Sequence, residues 1–158
     1  MGRKKKELTG SFFCFGYSLI ELVTVLLILG ILAVVIMPRF WGSTFDEARF
    51  FDEATAVLRY AQRSAITMQR TVCVAFATPP ATISLTFDPN YGGAACTQAL
   101  RGPDGGSPFG ATAQGPAGFT ALPAGFNYDR TGRPSNPQVM SLRGGFQIAV
   151  EPETGYVR

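Results

Sequence analysis

Residues 19–37 read LIELVTVLLILGILAVVIM, apolar at almost every position and interrupted by one ionisable side chain, Glu21. Wound as one helix, residues 17–37 would rise about 31 Å, the thickness of a bilayer's hydrocarbon core, so the pattern predicts a membrane-spanning segment. Pro38 follows; it has no N–H to donate and its ring crowds the preceding turn, so it predicts a kink or a stop. Thr44-Phe-Asp-Glu47 then fits a capping box, and Phe51, Ala54, Leu58, Ala61, Ala65 and Met68 recur at spacings of three and four. An amphipathic helix is expected over 44–70, its apolar stripe turned toward a sheet of the same domain rather than toward a coiled-coil partner.

From residue 71 the period shortens. TVCVAFA (71–77) and TISLTF (82–87) read as two strands joined through Pro79-Pro80. Residues 90–125 are dense in glycine and proline, in YGGAA, RGPDGGSPFG and QGPAG, and predict a surface excursion with no long regular element. Short strands are expected again at 126–128, 139–142, 146–150 and 156–157, separated by turn chemistry at DRTG, RGG and PETG. The class is therefore α+β: a helical spine followed by a small, mostly antiparallel sheet.

Charge supplies an orientation. The formal charge of +3 resides in Arg3, Lys4, Lys5 and Lys6 against Glu7; from Tyr17 onward ten Arg face ten Asp and Glu. A basic leader before an apolar run and a neutral remainder after it place the N-terminus in the cytoplasm and the domain from 44 outside, and argue against bulk attraction to duplex nucleic acid. A secretory signal would be shorter and end in small residues. A plain signal anchor leaves Glu21 unexplained, because an ionised side chain among apolar ones is costly without a partner.

The chain has no His, which removes His-based acid–base and nucleophile chemistry and the commonest zinc ligand. Asp46, Glu47, Asp52 and Glu53 alternate with Arg49 and Arg59 in the manner of a solvated helix face, so no catalytic residue, metal or cofactor is expected. Asp88, Asn90 and Asp104 lack the D-x-D-x-D-G spacing of a calcium loop. Cys73 and Cys96 both fall on the outward, disulfide-permissive side and admit two readings, a bridge closing a loop of about 24 residues or two separate apolar thiols.

The segment GYSLIELVTVLLILGILAVVIMPRF, after a short basic leader ending in Gly, resembles the type III signal of type IV prepilins and type II secretion pseudopilins. The resemblance implies removal of a leader (1–16) between Gly16 and Tyr17 by a prepilin peptidase, and N-methylation of Tyr17. It also implies a charge pair between the Tyr17 amine and Glu21 of neighbouring subunits, and a kink at Pro38. The implied architecture is a pilin-like fold: one long bent helix from Tyr17 to about Gln69, its first part (17–43) crossing the inner membrane and its second packed on the periplasmic sheet of a 44–158 domain. Two departures are Tyr17, where the family usually has Phe, and the apolar SFFCFG before the cut.

FNYDRTGRPSNP and the ending FQIAVEPETGYVR are similar to the C-terminal half of the H-type minor pseudopilins, a group that includes FimT-like and MshC-like minor pilins. The function so implied is that of a minor subunit of a type II secretion pseudopilus or a type IV, mannose-sensitive-type pilus. Its partners would be the peptidase, other major and minor pilins and the inner-membrane assembly platform. FimT-like relatives are associated with DNA uptake, which singles out Arg130, Arg133, Arg143 and Arg158 as candidate phosphate contacts. Only Asp129, Glu151 and Glu153 oppose them from residue 127 on, and the alternative is four solvated turn arginines.

Overall fold

An apolar run without proline, and with a single glycine at Gly30, winds into a helix, and the computed structural model, which describes residues 18–36 and 43–158, places α1 at Leu19–Ile36. The second helix, α2, occupies Ser43–Met68. This corrects the expected single long spine with a membrane-spanning half: among the described residues the α-helical part is two helices, and none is long and apolar enough to cross a membrane. Within the described residues α1 has 18 residues, a rise of about 27 Å, with Glu21 in its first turn. Pro38, the expected kink, and Gly16 and Tyr17, the expected cut, lie outside the described residues.

The chain divides into two units, Met1–Phe40 and Trp41–Arg158. In the second, α2 buries Phe50, Ala54, Val57, Leu58, Ala61 and Ala65, spaced so that every contact falls on one side of the helix. The stripe runs through Phe50 and Val57; Phe51 sits at its margin, half-buried and stacked on Phe146 with ring centroids 5.2 Å apart. Three alanines in the stripe let the sheet approach closely. The helix ends in a Schellman arrangement, Arg70 N–H donating to Ala65 O (3.2 Å) and Gln69 N–H to Ile66 O (3.4 Å), with Gln69 at a left-handed φ of 54°.

The main sheet is built on β1 (Val72–Ala77) and β2 (Thr82–Phe87), antiparallel with Val72 opposite Phe87 and Ala77 opposite Thr82. β5 (Phe126–Tyr128) joins the far side of β1. Two short strands that the Gly/Pro texture concealed share the outer edge of β2. β3 (Gln98–Ala99) pairs with Thr86 and Phe87, and β4 (Gly110–Thr112) with residues 82–84. Gly110 is required there, since a Cβ would fall on the Ile83 carbonyl. Val72, Val74, Ile83, Leu85, Phe126 and Tyr128 turn inward with the α2 stripe to make one core.

A second sheet is separate from the first, where the sequence suggested one. β6 (Gln138–Ser141) and β7 (Gln147–Val150) form a hairpin around a short 3-10 turn at Arg143–Gly145. The C-terminal residues lie along β7, with Arg158 and Ala149 exchanging backbone bonds of 3.0 and 2.8 Å. Met140, Leu142, Ile148, Val150 and Val157 bury the inner face. Arg59 of α2 binds this end of the chain through two bonds to Val157 O, 3.2 and 3.1 Å.

Candidate functional site

In the first unit, the described side chains of α1 from Leu19 to Ala33 are all exposed, Leu19 at 80% and Val25 at 46% marking the range of the large ones. Water is a poor neighbour for such a surface: at about 25 cal/mol per Å² of apolar area, each fully covered Leu or Ile is worth about 1.5–3 kcal/mol. Glu21 lies in the first turn of α1, where the helix dipole favours an acid. The Thr24 hydroxyl donates to the Glu21 carbonyl at 2.9 Å, and Glu21 is exposed. Glu21 is the one ionisable residue of α1.

The four candidate arginines of the second unit each have an intramolecular role. Arg133 pairs with Glu153, and Arg158 with Glu151 at 3.0 Å. The Arg143 guanidinium donates to the Pro116 carbonyl at 3.0 Å, and that of Arg130 lies 5.4 Å from the centre of the Tyr91 ring. Arg130 and Arg133 share one turn. Asp129 organises it, its Oδ1 accepting from the Thr131 hydroxyl (2.6 Å), the Thr131 amide (2.8 Å) and the Arg133 amide (3.0 Å). Partial burial pushes the Asp129 pKa up, but these donors and the Arg133 charge outweigh it and hold the carboxyl below its ordinary 3.8. Gly132 closes the turn at φ +82°, a conformation L side chains rarely adopt. Beside it Tyr128 is fully buried, and burial alone pushes its phenol far above the usual value of 10.0.

Cys73 and Cys96 form a disulfide, with Cα atoms 6.1 Å apart. It ties β1 to the segment after β2, which Asp88 organises from within. That carboxylate is almost wholly buried and accepts from the amides of Asn90 (2.7 Å) and Ala95 (2.5 Å), while the Thr71 hydroxyl donates to Gly93 O (2.7 Å). Asp88 thus serves as a loop clamp. Among the described residues no group of three or more acids or cysteines is placed to hold a metal.

A feature that sequence reasoning missed is a groove of about 680 Å³ between the C-terminal half of α2 and β3. Met68, Phe87 and Leu100 line it, Arg63 and Arg101 flank it, and the Tyr60 hydroxyl donates to Arg101 O at 2.8 Å across one end. Nothing in the local pattern around Arg101 marks it as a neighbour of Arg63; only the pairing of β3 with β2 brings the two together. No family model, no curated protein and no solved structure matches this chain.

Proposed function

We propose that the protein is a minor, structural subunit of a type IV pilus or type II secretion filament, and not an enzyme. It would be processed by a prepilin peptidase after Gly16, methylated at Tyr17, and passed by the inner-membrane assembly platform from the inner membrane into a filament of related pilins or pseudopilins. The observation that carries this reading is α1: an uncovered apolar helix with its one acid, Glu21, in the first turn, directly after a basic leader ending in Gly. Burying that surface against equivalent helices supplies the hydrophobic driving force for assembly, and pairing each Glu21 with the freed amine of a neighbour's Tyr17 sets the stagger between subunits.

The test is the intact mass and N-terminal residue of the protein from cells with and without the prepilin peptidase. A methylated N-terminus at Tyr17 that depends on the peptidase is the expected result. Retention of residues 1–16 in both strains would overturn the reading and leave a domain displayed at a membrane. DNA contact through Arg130, Arg133, Arg143 and Arg158 is the weaker alternative, because all four guanidinium groups already have partners within the fold.

A further inference from the structure

We propose that the groove between α2 and β3 is a docking site for an extended acidic peptide segment of a partner protein. It is independent of the filament reading. Three observations carry it. The first is charge: Arg63 and Arg101 flank the groove, no acid lines it, and among the described residues neither guanidinium is in an ion pair. Two solvent-exposed cations with no acid beside them in the groove attract carboxylates, which Arg binds as a fork.

The second is the floor, where half-buried Met68 and Phe87 and the buried Leu100 offer apolar contact between the two charges. The third is the edge. β3 is paired on one side to β2, and both of its residues, Gln98 and Ala99, are exposed, so the sheet ends beside the groove in a short edge strand. A strand laid along that edge would alternate its side chains, apolar ones to the floor and acidic ones to the arginines. The bond from the Tyr60 hydroxyl to Arg101 O, with Phe109 edge-on to the Tyr60 ring at 4.8 Å, fixes one end of the groove.

The experiment is fluorescence anisotropy of two fluorescein-labelled octapeptides with the full chain in detergent micelles. One has Glu at odd positions with Val and Phe between; the other exchanges the two sets, so that both registers are sampled. Saturable binding of at least one peptide is expected, falling about tenfold for Arg63→Gln and for Arg101→Gln, and unchanged for Arg49→Gln, whose side chain reaches Gln114 instead. Ser64→Trp, which fills the groove from α2, should abolish binding while the thermal midpoint stays within a few degrees of the parent. The proposal is overturned by absence of saturable binding in both registers, or by equal binding of the two arginine variants and the parent. It is also overturned by equal binding of peptides carrying Lys for Glu, or by displacement at equal concentration by oligo-dT, which would make the groove a nucleic-acid site. The N-terminal mass bears on none of these outcomes, so the two proposals stand or fall separately.

Discussion

Asp129 shows how one side chain sets the geometry of the turn that carries two of the candidate arginines. Its Oδ1 holds three donors and its backbone amide bonds Arg133 O at 2.9 Å, so the turn is closed from both sides while Gly132 takes the positive φ. Because the folded-state pKa is depressed below 3.8, the unfolded chain binds the proton more readily. Asp129 therefore contributes stability that is present above the unfolded value and lost as the pH falls through the folded one. Comparing urea midpoints of the parent and Asp129→Asn from pH 7 down to pH 2, the gap between them should be constant above about pH 5 and close as the pH drops below about pH 4. A gap that persisted at pH 2 would show that the turn depends on side-chain shape and not on the charge. Burial raises the pKa of the adjacent Tyr128 phenol, away from this acid range, so it adds nothing to that profile.

At the level of elements, the loop between β2 and β3 is held by a covalent tie and a buried carboxylate together. The bridge joins residues 23 apart, and the chain-entropy model assigns such a loop about 3 kcal/mol. The paired change Cys73→Ser with Cys96→Ser should lower the unfolding free energy by about that amount in urea titration, and open residues 89–95 to protease before the rest of the domain. A loss under about 1 kcal/mol would mean that the Asp88 bonds to Asn90 and Ala95 already restrict the loop without the bridge. The same region shows which elements local pattern reveals. Val72–Ala77 and Thr82–Phe87 carry their own alternation and β-branched residues, and α2 its 3.6-residue stripe, so each is visible from its own residues. Gln98–Ala99 and Gly110–Thr112 have no such signal: they are strands because β2 offers an edge to pair with, and Leu85 bonds both neighbours, donating to Phe109 O and accepting from Leu100 N–H, each at 3.0 Å. The groove inherits that invisibility, since Arg101 meets Arg63 only through β3. Apolarity predicted α1, whereas the single long spine rested on continuity through Pro38, which lies outside the described residues; the helices described are Leu19–Ile36 and Ser43–Met68.

For the molecule as a whole, the two units differ in what completes them. The unit from Trp41 on has its own core, with Leu58, Leu85 and Ile148 wholly enclosed, whereas α1 leaves Leu19, Leu26, Leu27 and Ile31 at 60% exposure or more. On the filament reading, α1 is finished only by copies of similar helices, and Glu21 tests that directly. Glu21→Ala makes α1 still more apolar, so a helix that needed only a greasy surface would assemble as well or better. If Glu21 instead answers the Tyr17 amine of a neighbour, the substitution leaves an ammonium buried and unpaired, a penalty of about 3–5 kcal/mol. The variant should then be processed at Gly16 as the parent is, yet fall by more than tenfold in sheared filaments, read as the ratio of filament-bound to cell-associated protein by immunoblot. Glu21→Asp, which keeps the charge but shortens its reach, should recover part of the incorporation. Normal incorporation of Glu21→Ala would show that apolar contact alone orders the helices, and would remove the charge pair from the assembly mechanism.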